Sequence, residues 1–266
     1  MDAIRIFVGC SANGEDAEAQ GMLEYTLRKY CTRPLEIVWM KLTRDPTSPW
    51  YSNPEKHEGW NTRGWATPFS AFRWSIPYVC DFDGRAIYMD VDQIARADIG
   101  DLWDQDIPYG KALLSKNAKT FCVMLMDNER MKKLLPPFDV LRRTELMYRN
   151  VREAAGRASA RFEGNWNCLD GENYKTLMDS DIKVIHFTKV ETQPHFKYAL
   201  PRLRLEGKQH WNRLAQFIPH ARPDIEPLVD RVWREAQEAG YTVSKYNTGL
   251  VPFGQYDAVR GGARAA

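Results

Sequence analysis

The chain has 266 residues, enough for one large domain or two small ones around a sizeable core. Its 37 Lys and Arg stand against 35 Asp and Glu, a formal charge of only +2. That balance excludes nucleic-acid binding driven by bulk charge, and the 44% hydrophobic content excludes a disordered chain. Ile4 to Gly9 is an apolar run read as a strand, ending in the small and polar residues Gly9, Cys10, Ser11, Ala12, Asn13 and Gly14. It starts too close to Met1 to leave room for a leader, and no run reaches the roughly 18 apolar residues that span a bilayer. The five cysteines are scattered without CxxC or zinc-ligand spacing, so the reading is a cytoplasmic protein with reduced thiols. A helical pattern with Met22, Leu23, Leu27 and Tyr30 on one face follows, and Pro34 ends it. Leu35 to Met40 reads as a second buried strand, with Trp39 inside it. This strand–loop–helix–strand opening is the start of a βαβ unit, so it predicts a parallel sheet with a ligand loop at the end of its first strand.

Residues 43–67 hold Pro46, Pro49, Pro54, Gly59 and Gly64 and no periodicity. Such a segment is usually functional or mobile, and Trp50, Trp60 and Trp65 suggest a lid or ligand-stacking role there. Thr67 and Pro68 form a good cap and first position for a helix running through Phe69, Phe72, Arg73 and Ile76. Arg85 to Met89 is a strand ending in Asp90-Val91-Asp92. Asp98 to Trp103 reads as a short helical turn, and Lys111 to Leu114 and Cys122 to Met126 as strands. Residues 128–160 are helix-rich with a break at Pro136-Pro137, and Ile182 to Phe187 is a further apolar strand. Residues 224–239 form an amphipathic helix with Ile225, Leu228, Val229 and Val232 inward, and Gly261 to Ala266 read as a frayed tail.

Asp90 and Asp92 are the most informative pair. Side chains at i and i+2 of an extended segment point the same way, so both carboxylates converge on one spot. Two anions that close repel unless they share a proton or a cation, which makes the pair a natural site for a divalent ion. The strand-end Asp-x-Asp is also compatible with a HAD-type metal-dependent phosphohydrolase. That motif normally lies on the first strand and continues into a hydroxyl residue, whereas Gln93 follows here at mid-chain.

The segments Phe69 to Tyr78, Gly84 to Asp92 and Ala97 to Trp103 together resemble glycosyltransferase family 8. Cys122 to Asn128 is similar to that family's buried strand leading to a helix, and Asn165 to Gly171 to its WN-x-L acceptor-side loop. The likeness spans roughly residues 4–200 and is best between 67 and 104. It implies an α/β chain of GT-A fold (a Rossmann-like, mostly parallel sheet flanked by helices) in residues 1–200, with a helical C-terminal extension packed on it in 201–266. It also implies a hexosyltransferase that moves a sugar, with retention, from a UDP-sugar donor to a glycan or lipid-linked acceptor, as in polysaccharide biosynthesis. Asp90, Asp92 and His186 would hold Mn²⁺ or Mg²⁺ against the donor diphosphate. Gly9, Cys10, Ser11, Arg73, Val91 and Lys189 would line the donor, and Asn165, Trp166 and Asn167 the acceptor. The Asp-Gln-Asp run of many relatives is missing upstream of the WN loop, where Ser159 to Gly164 stand, and the run at Asp104 to Asp106 is too early to match. Asp170 is therefore the nearest catalytic candidate, or else the cap of a helix through Tyr174 and Leu177. Between Phe196 and Arg222, Lys197, Arg202, Arg204, Lys208 and Arg213 alternate with aromatic and apolar residues, which suits a solvated helix face or peripheral contact with the inner membrane face.

Overall fold

A computed structural model describes residues 3–143, 145–172 and 181–256. The expected helix after Asp170 and the expected tail from Gly261 lie outside the described residues. Strands β1 (Ile4–Gly9) and β2 (Leu35–Met40) flank helix α1 (Ala17–Tyr30) and pair in parallel, Ile4 opposite Leu35. The proline-rich segment after β2 carries only a small antiparallel hairpin, β3 (Ser52–Asn53) and β4 (Glu58–Gly59). A 3₁₀ turn at Phe72–Trp74 and the short α2 (Ile76–Val79) lead into β5 (Arg85–Asp90). Then come β6 (Gln93–Ala95), α3 (Gly100–Trp103), β7 (Leu113–Asn117) and β8 (Thr120–Asp127). Helices α4 (Asn128–Met131), α5 (Phe138–Leu141) and α6 (Glu145–Ala158) precede β9 (Ser159–Arg161), β10 (Cys168–Leu169) and β11 (Val184–His186). Helices α7 (Phe196–Leu205), α8 (Ile225–Glu238) and α9 (Val243–Asn247) close the order.

The main sheet has six strands in the order β2-β1-β5-β8-β7-β9. β1 runs parallel to both β2 and β5, β8 is antiparallel to β5 and β7, and β9 is parallel to β7. The central strands are buried on both faces because their alternate residues feed different clusters. Phe7, Tyr88, Met124 and Met126 pack on one side with Trp60, Trp65, Phe72 and Trp74. Ile6, Val8, Ile87, Met89, Val123 and Leu125 pack on the other with Leu23 and Leu27 of α1. This is the three-layer α/β arrangement that the apolar strand runs predict. β2 is the edge strand, which is why Trp39 is half-buried against Tyr246 rather than fully enclosed.

A second sheet, β10-β11-β6, sits at the end of β5. β11 runs antiparallel to β6 with His186 opposite Gln93, and the Phe187 N–H donates to the Asp92 carbonyl at 3.1 Å. Asp92 and His186, 94 positions apart in sequence, are thereby fixed side by side.

The helix expected over 67–76 is replaced by turns. Arg73 Nε donates to the Ser70 carbonyl at 2.9 Å, taking the acceptor that the Trp74 N–H of a regular α-helix would use. Trp74 N–H donates to Ala71 instead, and Pro77 has no N–H for the Arg73 carbonyl. The lid reading of the loop tryptophans is also overturned. Trp60 and Trp65 are buried, and both meet Phe72 edge-on at centroid distances of 5.4 and 5.8 Å. Trp50 is half-buried against the same ring. The loop's indoles are core, because the short strands beside them leave a face that only large side chains can cover.

α7 runs across the expected boundary at 200/201, and Ile225, Val229, Val232 and Trp233 of α8 share a cluster with Ile94, Cys168 and Ile185. Gly21 makes the crossing of α1 and α8 possible: a Cβ there would stand 2.7 Å from the Tyr241 carbonyl and 2.9 Å from the Trp233 ring. The helix accepts the cost of about 1 kcal/mol for an interior glycine in exchange for this approach. Most cations of the basic stretch are engaged internally. Lys197 pairs with Asp230, Arg202 with Glu18 and Glu206, Lys208 with Glu206, and Arg222 with Asp224, while Arg204 donates to the Ala215 carbonyl. Among the described residues no helix is long and apolar enough to cross a membrane.

Candidate metal and donor site

β1 and β5 end level with each other, Gly9 opposite Asp90, and their C-terminal ends carry the site. Asp90 Oδ1 accepts from Arg73 Nη2 at 3.1 Å and from the Tyr88 hydroxyl. Arg73 is itself buried, with Nη1 on the Phe121 carbonyl at 2.6 Å and its guanidinium 4.4 Å above the Tyr88 ring. Burial alone would lower its pKa, but Tyr88 and Asp90 hold it above the ordinary arginine value. Burial pushes the Tyr88 phenol well up, with Arg73 opposing, so Tyr88 stays protonated and donates. Arg73 thus fixes one oxygen of Asp90 and leaves Oδ2 to face the site.

Asp92 Oδ2 accepts from Gln193 Nε2 at 2.6 Å, and the same amide donates to the Phe187 carbonyl at 2.7 Å. Asp92 Oδ1 is buried and has no hydrogen-bond partner, although His186 Nε2 lies 3.3 Å away. His186 Nε2 is also 3.9 Å from Asp90 Oδ2. The other ring nitrogen, Nδ1, is 3.0 Å from Asn167 Oδ1, an atom that can only accept. Nδ1 therefore carries the hydrogen, and Nε2 is the atom turned towards the carboxylates, the ring being oriented by Asn167 as a ligating histidine is by its outer hydrogen bond.

Burial raises the Asp92 pKa, with His186 opposing and Asp90 adding to the rise. Burial would lower that of His186, but Asp92 and Cys122 lift it well above 6.5. A shared proton between these groups offsets part of the repulsion of two buried carboxylates, and a cation does the same with more charge. The orphaned Asp92 Oδ1, the free Asp90 Oδ2 and the oriented His186 Nε2 together fit a divalent ion. Nothing in the spacing of the sequence marks Cys122 as part of this site. In the antiparallel pairing of β5 and β8, Met89 faces Val123, so Cys122 comes next to Asp90. An Asp90 oxygen, Cys122 Sγ and a His186 nitrogen all lie within 4.8 Å of one another. Only the strand pairing reveals this neighbour.

The expected donor residues divide into two groups. Gly9 lies where a Cβ would meet Phe69 at 2.9 Å and the Tyr88 hydroxyl at 3.1 Å, so the strand end admits no side chain. Cys10 is buried, and burial pushes its thiol up to about 12, which marks it as packing rather than chemistry. Val91 is buried, while Lys189 is exposed beside the His186 loop. The Ser11 hydroxyl accepts from the Asp16 N–H at 3.1 Å, Asp16 Oδ2 accepts from the Ser11 N–H at 2.8 Å, and Asp16 Oδ1 is 3.1 Å from His210 Nε2. The segment Phe253–Tyr256 crosses this loop. The Tyr256 hydroxyl accepts from the Ala12 and Asn13 N–H groups at 2.8 and 3.2 Å and donates to Glu15 at 2.6 Å.

On the expected acceptor side, Trp166 is buried in the core beside Phe162 and Ile99, and Asn165 anchors the Lys183 and Val184 N–H groups through its carbonyl. Asn167 is fully buried against His186. Asp170 is buried, its Oδ1 accepting from the Thr188 N–H and hydroxyl at 3.1 and 2.8 Å and its Oδ2 lying 3.2 Å from His220 Nε2. In this arrangement Asp170 holds the loop that follows His186.

No family model matches the chain, and no curated protein matches it. Solved structures do. The galactosyltransferase LgtC, in a complex with donor and acceptor sugar analogues, superposes with a TM-score of 0.53 at 10% identity, covering 88% of this chain and 96% of that one. The bifunctional glycosyltransferase WbbM in its apo form gives 0.51 at 12% identity over 70% of this chain, which spans 45% of WbbM. The mixed α/β architecture, with its six-stranded, mostly parallel sheet between helices, is the GT-A glycosyltransferase fold.

Proposed function

We propose that the chain is a divalent-metal-dependent glycosyltransferase that moves a hexosyl group, with retention, from a UDP-sugar to a glycan or lipid-linked acceptor. The observation that carries this reading is the meeting of Asp90, Asp92 and His186 at the C-terminal end of the β1 and β5 strands, with one carboxylate oxygen orphaned. The GT-A fold supports it, since in open α/β sheets ligands bind outside those strand ends.

A bound ion there would neutralise the charge that builds on the departing diphosphate. Asp90 and Asp92 would hold it by oxygen and His186 by Nε2, with Arg73 and Asn167 keeping the first and last of these in place. Lys189, exposed on the loop after His186, would meet the diphosphate as a point charge. The Ser11 loop and Val91 would border the nucleoside. Asp170 would set the height of the His186–Lys189 loop through Thr188. A HAD-type nucleophile has less support: Asp90, the strand-end acid, has one oxygen held by two donors.

The test is a panel of UDP-sugars incubated with the protein and a divalent ion, scored by UDP release. Metal-dependent release from at least one donor, lost in Asp92→Asn, is the expected result. No release from any donor, with phosphate liberated from simple monoesters, would overturn the assignment.

A further inference from the structure

We infer that Cys122 is a metal ligand, and that its sulfur turns this site from one for Mn²⁺ or Mg²⁺ into one that prefers Zn²⁺ or Co²⁺. The inference rests on the reading above that Asp90 and His186 hold an ion. It comes from the donor set and not from the family likeness, which supplies only the two aspartates and the histidine.

Three features bring the thiol into the site. Cys122 follows Thr120 and Phe121 at the start of β8 and stands next to Asp90 in the antiparallel pairing, so its side chain shares a face with that of Asp90. Its Sγ, an Asp90 oxygen and a His186 nitrogen lie within 4.8 Å of one another, a span that a single ion can bridge. Asp92 Oδ1 stands beside this set, 3.3 Å from His186 Nε2, while Gln193 holds Oδ2 at 2.6 Å. Oxygen, sulfur and imidazole nitrogen from three separate strands make a compact three-ligand set with room for one more donor. That is the usual composition of an open zinc site, whereas Mn²⁺ and Mg²⁺ favour six mostly oxygen ligands.

The neighbours suit the role. Arg73 engages Asp90 Oδ1 and leaves Oδ2 to the ion, while Asn167 fixes the tautomer that exposes His186 Nε2. Cys122 is half-buried, which admits an ion from solvent. Binding replaces the S–H bond by an S–metal bond and releases the proton to water, so no oxidant or reductant takes part. Asp92 Oδ1 would take the fourth position, and a phosphate oxygen of the donor would add to it.

Co²⁺ is the probe, because sulfur coordination gives it a thiolate charge-transfer absorption in the near ultraviolet that oxygen and nitrogen ligands do not. Titrating Co²⁺ into the whole reduced protein should produce this band. Cys122→Ser should abolish it and weaken Zn²⁺ binding, measured by competition with a chromophoric chelator, by at least about tenfold, while Mn²⁺ binding changes far less. A wild-type protein that binds Co²⁺ without the band, or that binds neither Co²⁺ nor Zn²⁺, overturns the inference. So does a band that survives in Cys122→Ser, since another of the five thiols would then be its source.

A second measurement needs no variant. Zn²⁺ should protect Cys122 from alkylation in the wild-type protein, read by peptide mass spectrometry, and an unchanged alkylation rate would count against the sulfur ligand. The two readings fail separately. Mn²⁺-dependent UDP release without the cobalt band removes the sulfur ligand and leaves the transferase. The band without turnover of any UDP-sugar keeps the ligand and removes the transferase.

Discussion

Two of the histidine–carboxylate pairs among the described residues are buried on both sides and built from the same residue types, yet they behave in opposite ways. His210 Nε2 lies 3.1 Å from Asp16 Oδ1, and His186 Nε2 lies 3.3 Å from Asp92 Oδ1. Burial raises the pKa of both acids. At Asp16 the bond and charge of His210, with the Ser11 N–H, more than offset it and hold the carboxyl far below the ordinary range. At Asp92 burial wins, helped by the second carboxylate of Asp90. The first pair is a finished structural contact that ties the loop after β1. The second is left with an excess of acceptors, which a proton or a cation would relieve.

This contrast can be broken or sharpened by experiment. The largest expected effect is on turnover: Asp92→Asn should reduce UDP release by about a thousandfold, some 4 kcal/mol of transition-state stabilisation, in the range a metal ion supplies. Its melting temperature should hold or rise, because the substitution removes an ill-satisfied charge; a pronounced fall would make Asp92 a structural residue like Asp16. Asp16→Asn should do the reverse. Breaking a buried pair from one side costs about 3–5 kcal/mol, or roughly 10 °C or more in melting temperature for a chain of this size. A stable Asp16→Asn would show that the two pairs do not differ in kind.

The next effect is a pH dependence near the Asp16 pair. His195 is buried with Nε2 unpartnered, and burial lowers its pKa from 6.5 to about 4. The unfolded chain takes up this proton below about pH 6.5 and the folded one only near pH 4, so the unfolded state binds more protons in between. Stability should therefore fall as pH drops from about 6.5 to 4, by no more than about 3 kcal/mol, and level off below that. Denaturant melts across this window check it, and His195→Gln should flatten the slope. The smallest effect belongs to Lys189→Ala, expected to raise KM for the donor about tenfold with little change in kcat, as one exposed charge contact to a phosphate allows. A collapse of kcat would move Lys189 from binding to chemistry.

The main strands could be read from the sequence because their apolar runs are buried on both faces, and Ile4–Gly9, Leu35–Met40 and Arg85–Asp90 stand within a residue of the runs that predict them. Asp90 and Asp92 were visible as an acidic pair leaving a strand, and His186 as the end of another. Their meeting was not visible, since it depends on β6 and β11 pairing through a second sheet. Cys122 was hidden for the same reason: antiparallel register, and not spacing, makes it a neighbour of Asp90. The loop tryptophans mislead because irregular backbone does not imply an exposed side chain. Trp60 has its backbone in a loop and its ring in the core.

The Tyr256 contact also carries a message about time. Its hydroxyl meets the Ala12 N–H across a separation of 244 residues. A ribosome adding roughly 5–20 residues per second would need on the order of ten seconds or more to deliver that phenol after Ala12 has emerged. During this interval β1, α1 and β2 can already form their local unit, but the loop after β1 lacks its last hydrogen-bond acceptor. The loop after β1 is thus among the last to be completed.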